Sequence, residues 1–361
     1  MDIRDKNIIW LDLFPNLTYN KKKTLLDLFG ENTDVRKNFL KNPKLNMVLN
    51  ENEINKMSQM LDDAILNRYI AQFEKDGIIM ITMFDPRYPD ILKEIDTPPF
   101  CLYCKGNVQL LNTYSIGVVG SRKPTDYGIV VTKQFAKALA EQNITIVSGL
   151  ATGVDSIAHN SALEVEGKTI AVLAGGLYHI YPASNYQLAR KMSENNLLVT
   201  EYSPNVVPQA YYFPIRNRII AGLSRAVLIT EASAKSGALY TVDYAIEYNR
   251  EIYAIPGKIN SPTSEGCNNI ISKYNESVVF SPDDIFNDLN IKKENSKNIS
   301  LQLDMREQIV LDYIRTEKKT FKEIADHTGI AVSELNTILF NLEMNYLITK
   351  LPNNSYIANQ N

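Results

Sequence analysis

Between residues 114 and 258 the chain repeats one pattern: a short apolar run, a turn rich in glycine and serine, then an amphipathic stretch. The apolar runs are SIGVVG (115–120), ITIVSG (144–149), TIAVLAGG (169–176), LLVTE (197–201), RAVLITEA (225–232) and EIYAIPG (251–257). Near-continuous β-branched runs separated by helix-length segments predict an α/β fold, a parallel sheet covered on both faces by crossover helices. Ligands of such open sheets sit at the carboxyl ends of the strands, so function is expected in the residues that follow each run.

Residues 1–75 read as a small helical domain, with a basic run at Lys21, Lys22 and Lys23 that is expected to be a solvated face. From Gly77 come an apolar run (IIMITM), a proline-punctuated turn and helix, and a second run at FCLYC, which either extend the sheet or lead into it. The sheet domain is expected to span 76–289, its tail formed by CNNIISKY, SVVF and PDDIFNDL. NIKKENSKNIS is charged and without apolar periodicity, which predicts a linker over 290–302. Residues 303–361 then show three helical patterns, the second opened by a Thr320-x-x-Glu323 capping box and closed by Gly329, followed by a two-stranded wing around Pro352–Ser355. This is a winged-helix pattern. Its third helix carries Glu334 and Glu343 and no Lys or Arg, whereas a helix reading a major groove needs cations for phosphates and donors for guanine. A protein-contact or regulatory role is therefore expected for this part.

Composition narrows the picture. With 361 residues, 45% of them hydrophobic, the chain can bury a full core in two or three domains. A formal charge of −3 draws in no polyanion globally, so contact with nucleic acid must come from cations gathered locally. No apolar stretch approaches the roughly 18 residues of a membrane span, and MDIRDKNIIW lacks the features of a signal peptide, so a cytoplasmic location and no membrane contact are expected. Three cysteines are too few for a disulfide framework, and the Cys101–Cys104 CxxC lies in an apolar strand pattern with no second pair, so no metal is expected.

The strand ends carry the chemistry. GSRKPTDYG places Gly120, Ser121, Arg122 and Lys123 at a helix-opening turn, where small residues, a helix N-terminus and a guanidinium suit a phosphate. Neither GxxxxGK[ST] nor GxGxxG occurs, which disfavours ATP hydrolysis and ordinary dinucleotide binding. SGLATGVDSIAH supplies Ser148, Gly149 and Gly153 as a second close-approach turn. Its Asp155 and His159 share a helix face and are expected to be a cap and a buried hydrogen-bonded side chain, not a catalytic pair, because no nucleophile or metal-ligand cluster accompanies them. AGGLYHIYP adds Gly175, with Tyr178 and Tyr181 nearby. In QAYYFPIRNRIIAGLS, aromatic residues precede Arg216, Asn217 and Arg218, a combination suited to stacked bases and paired phosphates of a single strand. EASAKSGALYT places Lys235, Ser236 and Gly237 at another helix start, and PGK ends in Lys258. Arg122, Lys123, Arg216, Arg218, Lys235 and Lys258 are expected to converge on one rim as a polyanion site.

GSRKPTDYG, SGLATGVDSIAH, AGGLYHIYP, FPIRNRIIAGLS, EASAKSGAL and AIPGKINSPTSEGCNNII, in this order and spacing, resemble the DprA/Smf family, bacterial DNA-processing proteins of natural transformation. The resemblance covers about residues 85–281, fits a SAM-like helical domain more loosely over the first 75 residues, and fits a winged-helix extension over the last 55. It implies an extended Rossmann-like domain that forms a homodimer, takes no cofactor, and binds single-stranded DNA without strong sequence preference. It further implies that the strand is protected, then handed to the RecA recombinase with displacement of single-strand-binding protein. By motif, Arg122, Arg216, Arg218 and Lys235 are the implied phosphate-binding cations, and Phe213, at the aromatic of FPxR, is the candidate for stacking on a base. Thr152 stands where many members place arginine.

A second reading is a Rossmann-like nucleotide-processing enzyme, because phosphoribohydrolases of the lysine-decarboxylase-like group have similar glycine-rich strand ends. Glu201, Glu231 or Asp155 would then be the catalytic acids. The PGGxGTxxE string of that group is absent, and EASAKSGALYT stands in the comparable place. A third, a transcription regulator gripping duplex DNA through the winged helix, is disfavoured by the acidic third helix.

Overall fold

A computed structural model of the chain describes residues 2–30, 33–292, 303–344 and 347–359. Its centre is an eight-stranded sheet of β1 (Ile79–Thr82), β2 (Cys101–Gly106), β3 (Ser115–Val119), β4 (Thr145–Ser148), β5 (Thr169–Val172), β6 (Leu197–Thr200), β7 (Ala226–Ile229) and β8 (Glu251–Ala254). The spatial order is β1-β2-β6-β5-β4-β3-β7-β8. The six strands from β3 to β8 run parallel, and each lies inside one of the apolar runs. Strands β3 to β7 are buried along their whole length, which is why their sequences are continuously apolar and not alternating.

The sheet is not wholly parallel. The IIMITM and FCLYC runs extend it as β1 and β2, both antiparallel, with β2 paired to β6. The SVVF run contributes a single bridge, Ala254 to Val278, in place of a full strand. Cys101 and Cys104, three apart on β2, face opposite sides: Cys104 joins a core with Leu102, Cys101 one with Tyr103. Both thiols are buried and free, and burial pushes both up in pKa, so the CxxC is packing.

Helices Asp126–Glu141 and Val154–Glu164 cover one face, packing Val131, Phe135, Ala158 and Ala162 on Ile116, Val118 and Ile146. Helices Tyr212–Leu223 and Leu239–Glu247 cover the other, with Ile219, Ile220, Val242 and Ala245 on Val119, Val147, Val227 and Ile229. The chain thus meets the sheet from both sides, as the alternation of runs and amphipathic segments requires.

The first 75 residues are helical, from Ile3–Asp12 to Asp63–Lys75. Their core, around Trp10, Leu25, Phe39 and Phe73, is continuous with Met80, Tyr103, Ala171 and Leu198 of the sheet. Two lysines of the basic run are paired with carboxylates and not simply solvated: Lys21 with Glu53 at 2.6 Å and Lys22 with Asp12 at 2.7 Å. Most of the linker expected at 290–302 lies outside the described residues. Beyond it, helices Met305–Arg315, Phe321–Thr328 and Val332–Met344 pack with a small antiparallel sheet of β9 (Lys319–Thr320), β10 (Ile348–Leu351) and β11 (Ser355–Ala358) around a separate core of Val310, Ile314, Ile324, Leu335 and Leu342. The Thr320–Glu323 capping box is formed, and Gly329 closes the same helix with φ +65°.

Candidate nucleic-acid interface

At β3 the order of the chain through the sheet reverses: β4, β5 and β6 follow on one side, β7 and β8 on the other. A crevice opens there, outside the carboxyl ends of the strands. It has a volume of about 620 Å³ and is walled by Gly120, Ser121, Arg122 and Lys123 after β3, by Ala151 and Asp155 after β4, and by Tyr181 after β5. Phe213, Arg216 and Asn217 close it from helix Tyr212–Leu223, and Ser233, Ser236 and Gly237 from the loop after β7.

The first wall is a turn tied to both neighbours. Ser121 N–H donates to the Glu231 carbonyl at 2.7 Å, and Val154 N–H donates to the Ser121 carbonyl at 3.0 Å. Gly153, at φ +79°, makes this approach possible, since a Cβ there would lie 2.3 Å from the Ser121 oxygen. Arg122 and Lys123 are left exposed at the tip. The helix N-terminus expected to add positive charge behind them is already occupied. Thr125 caps helix Asp126–Glu141, and its N–H and Oγ1 both donate to the Glu231 carboxylate at 2.7 Å. The protein's own buried acid therefore answers the helix dipole, and an anion at this turn meets side-chain cations.

Arg216 forms the floor. It is 4% exposed, and its Nη1 donates to the carbonyls of Gly149, at 2.7 Å, and Val172, at the ends of β4 and β5. Burial pulls its pKa down to about 10, opposed by the nearby Asp155, so it stays a cation at neutral pH. Asp155 accepts from Gly149 N–H at 3.1 Å and Ala151 N–H at 3.3 Å. It therefore caps the preceding loop, where a helix cap was expected; Gly153 holds the N-cap position. Burial raises its pKa despite Arg216. His159, fully buried, shares a 2.6 Å hydrogen bond with Thr169 Oγ1. Burial and the Arg216 charge lower its pKa to about 3. Both residues hold the scaffold under the crevice.

Three of the six expected cations, Arg122, Lys123 and Arg216, wall one space. Lys235 is exposed on the loop between the wall residues Ser233 and Ser236 and is not itself among the wall residues. Arg218 departs from the expectation: it turns to the opposite side of its helix, is 6% exposed, and pairs with Glu201 at 2.6 Å in a separate cleft beside Asp12 and Lys22. Lys258 follows β8, one strand beyond β7, and is not among the wall residues. Ser148, Gly149 and Gly175 are buried and so make no direct contact surface. Ser148 Oγ donates to the Val118 carbonyl at 2.6 Å, a Cβ at Gly149 would meet Arg216 Nη2 at 2.5 Å, and one at Gly175 would meet Pro208 at 2.5 Å. These small residues let the loops close under the crevice. Asn217 is fixed by donating to the Gly237 carbonyl at 3.2 Å.

Two residues that matter here carry little signal in the sequence. Glu231 anchors Thr125 from 106 positions away, a contact that no local pattern announces. Tyr181, expected only to lie near the glycine turn, enters the wall itself from the loop after β5. The carboxylates named for an enzyme are all engaged in the scaffold: Glu201 by Arg218, Glu231 by Thr125 and Asp155 by two backbone amides. Among the described residues no group of three or more His, Cys, Asp or Glu is placed to hold a metal ion.

The family model of DNA recombination-mediator protein A matches residues 79–290, the segment that builds this crevice. The chain is 40% identical over 225 residues to the DNA processing protein DprA of Bacillus subtilis, a match covering 62% of this chain and 75% of that one. It is similar to the X-ray structure of DprA from Streptococcus pneumoniae, with a TM-score of 0.63 and 33% identity over 82% of this chain and 100% of that one. It is similar also to DNA processing protein A from Helicobacter pylori, a structure described for its single-stranded DNA binding mode, with a TM-score of 0.54 and 31% identity over 60% of this chain and 97% of that one. The motifs, the eight-stranded α/β fold and these matches agree, and the chain belongs to the DNA recombination-mediator protein A family, the DprA/Smf proteins.

Proposed function

We propose that this chain binds single-stranded DNA in the crevice at the carboxyl ends of β3, β4 and β7, protects it, and loads the RecA recombinase onto it during natural transformation and recombination. The observation that carries the reading is the convergence of Arg122, Lys123, Arg216, Asn217 and Phe213, from separate parts of the sequence, on one open space of about 620 Å³. On a chain of net charge −3 this is a local cationic site with an aromatic ring inside it, the combination that single strands select. The Helicobacter pylori relative's single-stranded DNA binding mode supports the ligand class.

In this reading the protein acts in the cytoplasm; no helix among the described residues is long and apolar enough to cross a membrane. It works as a homodimer whose two crevices engage one strand and gain effective concentration. RecA and single-strand-binding protein are its protein partners, and residues 303–361 serve a protein-contact or regulatory role. Enzymatic turnover is not part of the reading. Release of free base from nucleoside monophosphates, lost in Glu231→Gln, would reverse that statement.

The test is oligothymidine binding by fluorescence anisotropy across a salt series. Affinity should fall steeply with salt, and Arg122→Ala should reduce the slope of log K against log salt by about 0.7, one phosphate contact. Salt-independent binding, or a wild-type slope in the variant, contradicts the site. For the finer claim, RecA should assemble faster on a strand coated with single-strand-binding protein when this chain is present; an unchanged rate rejects the loading role alone.

A further inference from the structure

Tyr181 lies in the loop after β5, is 57% exposed, and walls the crevice. Its ring centroid is 5.5 Å from that of Phe213, with the planes inclined at 66°. Phe213 is only partly exposed and already carries cations: the Arg122 guanidinium lies 5.5 Å from its ring centroid and that of Arg216 at 6.0 Å. Its ring thus also steadies the cations of the site, and the more exposed aromatic ring next to those cations is that of Tyr181.

We propose that Tyr181 is a base-stacking residue of this crevice, receiving a base at a steep angle to any base held by Phe213. The inference rests on the reading of the crevice as a single-stranded DNA site and deepens it. Neighbouring bases in a relaxed single strand lie parallel on one another. A base flat on Tyr181 is inclined by 66° to one flat on Phe213, so two nucleotides cannot occupy both rings and remain stacked together. The strand turns a corner here. A strand with strong internal stacking loses more on entering than a pyrimidine run does, because stacking strength sets preferences in sites of this kind. The crevice therefore selects pyrimidine-rich single strands over oligodeoxyadenosine, with no base edge being read.

The experiment compares wild type, Tyr181→Ala and Tyr181→Phe on oligothymidine, on oligodeoxyadenosine and on a fully abasic strand of the same length. Tyr181→Ala should lower oligothymidine affinity about five- to 150-fold, the loss of one stacked base. Tyr181→Phe should stay near wild type, since the ring is kept. On the abasic strand wild type and Tyr181→Ala should bind alike, and the salt slope on oligothymidine should be the same for both, because no phosphate contact is removed. The wild-type preference for oligothymidine over oligodeoxyadenosine should shrink in Tyr181→Ala. Wild-type affinity of Tyr181→Ala for oligothymidine, or an equal loss on the abasic strand, overturns the stacking role while leaving the crevice as the binding site. Failure of the wild type to bind oligothymidine overturns both.

Discussion

Replacing His159 should make the protein less sensitive to acid. The side chain is fully buried. Thr169 Oγ1 donates to the Ile146 carbonyl at 2.9 Å, so it accepts from His159 Nδ1–H, and Nε2 is left without a partner. Burial, reinforced by the Arg216 guanidinium, lowers the folded pKa to about 3, against about 6.5 in the unfolded chain. Below pH 6.5 the unfolded chain takes up a proton that the folded state refuses. The contribution to stability is therefore complete above pH 6.5 and declines as the pH falls toward 3. At about 1.4 kcal/mol per pH unit, lowering the pH to 5 costs about 2 kcal/mol from this residue alone. His159→Gln removes the titration and keeps a polar atom near Thr169. Urea unfolding at pH 7.5 and pH 5 should show the variant less stable at the higher pH, with the wild type losing about 2 kcal/mol more than the variant between the two. An equal loss in both proteins would refute the reasoning. It would mean that His159 titrates normally beside Asp155, and a general-base role would have to be considered again.

Two further substitutions separate scaffold from contact. Glu231→Ala removes both carboxylate acceptors of Thr125, the residue that caps helix Asp126–Glu141, and so loosens the cap. Chemical unfolding should show a loss of about 1.5–3 kcal/mol, and oligothymidine binding should weaken, although deleting a negative charge near an anion site would by charge alone tighten it; tighter binding would contradict the anchoring role. Arg218→Met strands the carboxylate of Glu201, with the pair's side chains only 8% and 17% exposed, and should destabilise by about 3 kcal/mol. The salt slope of oligothymidine binding should stay at the wild-type value, and a slope reduced as in Arg122→Ala would place Arg218 in the site after all.

The parallel strands are legible in the amino-acid order because burial on both faces demands unbroken apolar runs, and SIGVVG through RAVLITEA supply them. The direction of β1 and β2 is not legible: IIMITM and FCLYC show the same apolar content whichever way they pair with an edge. Arg122 and Lys123 are readable as site residues because they follow a strand end directly. Arg218 illustrates a rule available from spacing alone, since residues two apart on a helix do not share a face and the two arginines of RNR were bound to point to different sides. The anchoring of Thr125 by Glu231 depends on how β3 and β7 pair, and the angle between Tyr181 and Phe213 on how the loop after β5 meets helix Tyr212–Leu223. Neither follows from local sequence. The buried Ser148, Gly149 and Gly175 share their composition with phosphate-contacting turns, since small residues serve close packing of loops as well as close approach of a ligand.

A structure of the full chain with a bound short oligothymidine decides where the strand lies. Phosphates should lie against Arg122 and Lys123 at the tip of the β3 turn and beside Arg216 and Asn217, with bases on the rings of the crevice wall. A strand bound instead along the cleft of Arg218 and Glu201, or on the helices and wing of residues 303–359, would contradict it.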